Sequence, residues 1–430
     1  MGSTVDGLVS GLSTSTMINQ LMQIESQPQT RLQSKVSTAQ SQVTSYQSVN
    51  TKLATLKTAA EDLGKLATWR SIKPTSSSDA VTAAATPGTT ATQTGSLTFD
   101  VVQLAKAQIS TARVDSEADL ASGGSFTINF DDGSDPVTID LTDKPHNAQG
   151  ISDALNSAGI GVKASVVKTS TGDSVLQLTS AKTGVANGFS VSGLDADLKP
   201  AVAAQDAMLQ VGGADEDGGY SVTSSTNTFT DLMAGVTLTA TKEQKNVSIG
   251  VTSDTGGMAD KIKAMVDAAN AVISEVTKQT KYDAATKTGA ALSGEFMVRQ
   301  ISQSVMSAVS QGQADIGSLS KIGVHLEKDG TLTFDKSAFE TSYAADPDKI
   351  KTAGMAMADT FKAVAQKQTD NVTNAVTGRK SLIDSMSAQI DNWDVRLEQR
   401  REALTKQYAS LETALSNLKS KSSYLSSQLG

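Results

Sequence analysis

IDSMSAQIDNWDVRLEQRREALTKQYASLETALSNLKSKSSYLSSQL, residues 383–429, carries its apolar side chains on a three-four step. Ile383, Met386, Ile390, Trp393 and Leu397 set the rhythm, and Leu404, Tyr408, Leu411, Leu415, Leu418, Leu425 and Leu429 resume it. Such a repeat puts one narrow stripe on an α-helix and predicts a coiled-coil seam. The seam passes Arg400 and then takes two four-residue steps, a stutter that locally unwinds the supercoil. A core helix inside a globular domain rarely runs near fifty residues without a cap, so the coiled coil is the better reading.

The other end of the chain has a matching partner. Over residues 29–73 there is no proline, and Leu32, Val36, Ala39, Val43 and Tyr46 are followed by Leu53, Leu56, Ala60, Leu63 and Ala67 at helical spacing. At 1.5 Å per residue this is a helix of up to ~65 Å, with Pro74 expected to stop it. Ahead of it, residues 1–24 hold a single charge, Asp6, and a partly helical set of apolar residues including Leu8, Leu12, Ile18 and Leu21. Such a segment is expected to stay loose until it meets a partner helix. Leu8, Leu12, Ile18 and Leu21 with Leu411, Leu415, Leu418, Leu425 and Leu429 are therefore the candidate assembly residues. Trp69 and Trp393 fall on the predicted leg helices and read as packing anchors.

Between the ends the period changes to two. Residues 96–102, 125–129, 137–141, 162–167 and 174–179 alternate as strands between Gly, Asp and Pro turns. Residues 148–158 stand apart as a short helix with Ile151, Ala154 and Leu155 on one side, closed by Gly159, which gives a ββαββ unit. A second strand group covers 207–251, and helical spacing returns over 258–280. The fold class is α+β and multidomain, an antiparallel helical or coiled-coil leg formed by both termini with inserted β-rich head domains. The expected partition is a terminal segment 1–30, a leg helix 31–74, a discontinuous β domain 75–112 with 205–253, the inserted ββαββ domain 113–204, a second leg region 254–380 and the coiled-coil helix 381–430.

Charge follows this partition. Residues 115–245 hold 18 acidic and 7 basic residues, a balance of −11 against −8 for the whole chain. An acidic head resists nonspecific association, and no concentrated basic patch offers a nucleic-acid surface. With no cysteine and only His146 and His325, thiolate chemistry, Cys-based zinc sites and an imidazole cluster are excluded. Asp131, Asp132 and Asp135 around Gly133 resemble part of a calcium loop that lacks its bidentate Glu, and read better as turn chemistry. Asp215, Glu216 and Asp217 read as a solvated hairpin tip. No cofactor, metal or catalytic residue is expected. No stretch reaches the ~18 to 20 apolar residues of a membrane span, so membrane insertion is not expected either, and composition alone suggests a cytosolic protein.

Several blocks then carry a resemblance. GLVSGLSTSTMINQLMQIESQP (residues 7–28), TGSLTFDVVQLAKAQ (94–108), QDAMLQVGG (205–213) and SSTNTFTDLMAGVTLT (224–239) resemble flagellar filament-capping proteins, the hook-associated protein two family. YDAATKTGAALSGE (282–295), IGVHLEKDGTLTFD (322–335), ADPDKI (345–350) and KSSYLSSQL (421–429) continue it in the family's order, and residues 126–180 resemble an insert shared with flagellins. The acidic, Gly-rich hairpin after Val211 and the pair Leu411-Glu412, where the family has Met-Glu, depart from the pattern. The resemblance implies a structural cap at the distal filament tip that promotes folding and insertion of exported flagellin and prevents its leakage. It implies a homo-oligomeric ring, commonly a pentamer, contacts with flagellin and hook-filament junction proteins, and a cytosolic chaperone guarding the C-terminal helix. It also implies an extracellular location reached by the flagellar type III apparatus, against the cytosolic reading from composition. A hook-filament junction protein, a tip adhesin for surface glycans and an extracellular hydrolase are the competing readings.

Overall fold

The computed structural model describes residues 13–86, 94–169, 173–213, 218–312 and 317–429. Its helices are α1 (Thr14–Glu25), α2 (Gln27–Gly64), α3 (Leu66–Trp69), α4 (Ala148–Ala158), α5 (Thr255–Thr280), α6 (Phe296–Ser310), α7 (Lys336–Ala345) and α8 (Pro347–Leu429). The chain divides into two compact units, one of Met1–Lys65 with Met258–Gly430 and the other of Leu66–Gly257.

The first unit is helical. Gln29 of α2 bonds Asp394 of α8, Gln42 bonds Arg379, and Glu61 stands 3.8 Å from Lys362. Partners descend along α8 as residues ascend along α2, so the two helices run antiparallel. Tyr46, Val49, Leu53, Leu56 and Leu63 of α2 are buried at the same period that the sequence shows. Ile262, Met265 and Val272 of α5, Val298 and Ile301 of α6, Phe339 of α7, and Met357 and Phe361 of α8 are buried with 0% exposure. Polar ties accompany this apolar packing: Ser48 Oγ donates to Glu275 Oε1 at 2.6 Å, and Asn270 exchanges two hydrogen bonds with the backbone of Leu332.

The expected helix over 31–74 ends early. It stops at Gly64, where Lys65 turns to an extended conformation, and glycine is the weakest helix former short of proline. Pro74 instead lies inside a strand at the edge of a sheet, where a missing N–H is tolerated because one side of the strand has no neighbour to bond. At the other end α8 is a single helix of 83 residues beginning at Pro347, so it takes in the last part, 347–380, of the region assigned to 254–380.

The second unit holds β1 (Ile72–Ser76), β2 (Val81–Ala85), β3 (Gly95–Gln103), β4 (Ile109–Val114), β5 (Ser125–Phe130), β6 (Val137–Asp140), β7 (Val162–Lys168) and β8 (Ser174–Ser180). It continues with β9 (Phe189–Ser192), β10 (Lys199–Val202), β11 (Ala207–Val211), β12 (Tyr220–Ser224), β13 (Thr228–Met233), β14 (Val236–Ala240) and β15 (Gln244–Ser253). A five-stranded sheet β1-β15-β3-β11-β12 and a three-stranded sheet β13-β14-β2 enclose one core, with Phe99, Leu209, Leu238 and Ile249 at its centre. A four-stranded sheet β10-β4-β8-β7, a three-stranded sheet β6-β5-β9 and α4 enclose another around Phe126, Ile128, Ile151, Leu155 and Leu178. All pairings are antiparallel among the described strands.

The ββαββ order β5-β6-α4-β7-β8 is present, but its strand pairs belong to different sheets. Asn147 caps α4 by accepting from Gly150 N at 3.0 Å, and Gly159 ends it in the left-handed region at φ 64°. Gly150 is fixed by contact, because a Cβ there would stand 1.8 Å from the Pro145 carbonyl oxygen. Where the chain passes between the two cores, Lys106 and Gln205 exchange backbone bonds, and Asp206 accepts from Val185 N at 2.8 Å.

Candidate assembly interface

The terminal helices meet through α1 and α8. Ile18 and Met22 lie four residues apart on α1 and are 8% and 6% exposed against Leu404, with Leu397 and Tyr408 half-buried around them. Arg401 donates to Asn19 Oδ1 at 3.1 Å, and Arg400 stands 3.4 Å from Glu25. These polar ties are exposed and each contributes little, about 0–1 kcal/mol. Gln29 Nε2 donates to Asp394 Oδ1 at 2.6 Å, a polar tie between α2 and α8.

The predicted assembly residues therefore separate. Ile18 is brought to the seam, but its partners lie at 397–408 rather than over 411–429. Leu21 is exposed, and so are Leu411, Leu418, Tyr424 and Leu425, while Leu415 is half-buried. Leu8, Leu12 and the Leu429 side chain lie outside the described residues. Roughly the last five turns of α8 thus present a leucine stripe on a helix already formed.

Trp393 is half-buried on α8 with the Arg396 guanidinium 5.6 Å from its ring centroid. Trp69 is buried too, at 3%, but it belongs to the second unit, because the helix that was to carry it into the leg breaks at Gly64.

A polar cluster that the sequence did not announce lies higher on the leg. Arg379 of α8 donates to Gln42 of α2 and to Glu295, which opens α6, and its guanidinium carbon is 5.6 Å from the centroid of the Tyr46 ring. The Tyr46 hydroxyl donates to the second Glu295 oxygen at 3.3 Å, and burial pushes its phenol above the ordinary value, with Arg379 opposing. Beside it a groove of 560 Å³ opens between α2 and α8, with Leu382 exposed along it. Gln42, Glu295 and Arg379 are far apart in sequence, and no local pattern marks them as partners.

Glu275 of α5 is a buried acid in this unit. Hydrogen bonds from Ser48 and Gln279 hold its carboxyl below the ordinary value of 4.5. A folded-state pKa that is depressed contributes stability above the unfolded value and loses it as pH falls through the folded one. Ser48→Ala is expected to cost about 1.5–3 kcal/mol at pH 7, the range for a hydrogen bond to a charged group. Urea melts of both proteins should show the difference shrinking once the pH drops below 4.5. A difference that stays constant from pH 7 to pH 3 would assign the loss to packing.

In the second unit Asp132 accepts from the Ser134 backbone at 2.9 Å, an Asx turn, and hydrogen bonds from Ser134 hold its carboxyl low. Residues 215–217 lie outside the described residues. Among the described residues no group of three His, Cys, Asp or Glu side chains is placed to hold a metal ion, and no helix is long and apolar enough to cross a membrane.

Known proteins share this arrangement. Residues 204–420 match the family model described as flagellar hook-associated protein 2 C-terminus, and residues 10–108 match the corresponding N-terminus model. Flagellar hook-associated protein 2 of Escherichia coli K12 is 26% identical over 98% of this chain and 97% of its own length. The lateral flagellar hook-associated protein 2 of Vibrio parahaemolyticus is 28% identical over 78% of this chain and 81% of its own. A crystal structure of the flagellar cap protein from Escherichia coli, domains D1 to D3, superposes with a TM-score of 0.60 at 26% identity, covering 78% of this chain and 99% of that one. One model takes in half the chain and the other residues 10–108, and together they span both sequence ends of the helical unit and the strands that open and close the second unit: the chain belongs to the flagellar hook-associated protein 2 family.

Proposed function

We propose that this chain is the structural cap at the distal tip of the bacterial flagellar filament, where it promotes folding and insertion of exported flagellin and prevents its leakage. The observation that carries this reading is the family match joined to a leg whose final turns expose Leu411, Leu418 and Leu425. A helix that seats α1 on its stripe as far as Tyr408 and leaves Leu411, Leu418 and Leu425 exposed is built to complete its seam on another chain. The finer picture is a homo-oligomeric ring, a pentamer, whose legs reach flagellin and whose base follows the hook-filament junction proteins. A cytosolic chaperone covers the exposed stripe before export. The chain acts by assembly and carries no catalytic residue in this reading.

Deleting the gene in a flagellated strain and restoring it tests the function directly. Electron micrographs should show hooks without filaments in the deletion strain, with unpolymerised flagellin in the medium, and filaments again on complementation. Filaments of normal length in the deletion strain would refute the cap and leave a tip adhesin, whose loss affects attachment and not growth.

A further inference from the structure

The helix α8 changes character at Val372. Up to that point Ile350, Ala353, Met357, Phe361, Ala365 and Val372 are buried, and beyond it only Met386 and Leu404 among its described apolar side chains are. Gly378 stands at this transition. Nothing lies within 4 Å of the place where its Cβ would be, so packing does not require a glycine there, although a glycine in a helix interior weakens it relative to alanine.

The ladder carbonyls around Gly378 also take side-chain hydroxyls. Thr373, Thr377 and Ser381 each donate a side-chain hydroxyl to the carbonyl four residues back. Thr38, Ser41 and Thr44 of α2, flanking the Gln42 that meets Arg379, do the same. Hydroxyls that share the ladder carbonyls bend helices, and sharp bends concentrate at glycine and serine positions. Immediately past the glycine comes Arg379, which joins α8 to α2 through Gln42 and to the start of α6 through Glu295, with Tyr46 under its guanidinium.

We propose that Gly378 is a hinge in α8 and that Arg379 is its latch. With the ion pair to Glu295 closed, the distal part of the leg stays in line with the helical core. When it opens, the distal part tilts as a body, with α1 attached through Ile18, Met22 and Leu404, and re-aims the leucine stripe without unfolding either helix. This goes beyond the cap reading and does not depend on it.

The absence of native cysteine makes the test direct. Spin labels on Gln303→Cys of α6 and Gln399→Cys of α8, both exposed, report the angle between core and distal leg in the full chain. At 1.5 Å per residue, a tilt of about 30° at Gly378 moves the distal label by roughly 15 Å. The native chain should give a broad or two-peaked distance distribution. Gly378→Ala should collapse it to one narrow peak, and Arg379→Gln should enlarge the second population, with circular dichroism confirming intact helices in both. The same single narrow peak in the native chain and in Gly378→Ala would overturn the hinge, and populations unmoved by Arg379→Gln would overturn the latch.

Discussion

A subunit carrying Leu415→Asp and Leu418→Asp is expected to fold as the native protein does and to fail as a cap. Leu418 is 64% exposed and Leu415 half-buried in the single chain, so the substitutions should change its own stability only slightly, as surface changes do, within about 0.5 kcal/mol each. Once the stripe is covered by another helix, each carboxylate loses its water, at a cost on the order of several kcal/mol. Every 1.4 kcal/mol is tenfold, so assembly should weaken by roughly a thousandfold or more. Cells making the exported variant should be non-motile and release monomeric flagellin. Alanine at Asp215, Glu216 and Asp217 should leave filaments growing. Full-length filaments with the double variant would remove the leucine stripe from the mechanism, and loss of filaments from the alanine variant would move function into the second unit.

The next largest effect should come from Phe361→Ala. Phe361 is fully buried on α8, and removing such a ring costs about 3–5 kcal/mol through lost transfer energy and the cavity left behind. The cores of the second unit draw no residue from α8. Calorimetry should therefore resolve one transition that falls by roughly 6 to 20 °C, at the 2–4 °C per kcal/mol expected for a unit of this size, and a second that stays in place. If both transitions fell together, the division at Leu66 and Gly257 would not be an energetic one.

How much of this was legible in the sequence depended on how many faces each element buries. The strands β3, β5, β7 and β8 bury one face and alternate cleanly, and they appear within a residue or two of where alternation predicts them. β1 and β2 were missed: IKPTS contains a proline and its first residues were read into a helix running on to Lys73, and VTAAA ends in three alanines. In α8 the seam from Ile383 onward was plain because it is a single stripe. Its first part was not, because Ala353, Met357, Ala358, Phe361 and Ala365 are buried among several neighbours and Gly354 and Gly378 interrupt the propensity. Among the candidate site residues, Leu411, Leu418 and Leu425 were named from period alone, and they lie exposed on α8. Arg379, Gln42 and Glu295 could not be, since a cluster assembled from three distant segments leaves no periodic trace.

The strand pair β1 and β15 bears on how the leg can form at all. The helices α2 and α5 are separated in sequence by residues 65–254, and closing a loop of that length costs chain entropy that grows with the logarithm of its size. Yet Ile72 pairs with Ser253, and Asp254 N donates to the Ser71 carbonyl at 2.9 Å. Once the second unit has folded, the points where the chain enters and leaves it are held side by side, and the long loop becomes, for the helices on either side, a staple of a few residues. The β unit is then a cross-link that sets the effective concentration of one half of the leg for the other, and destabilising it should slow leg folding even though no leg residue has changed.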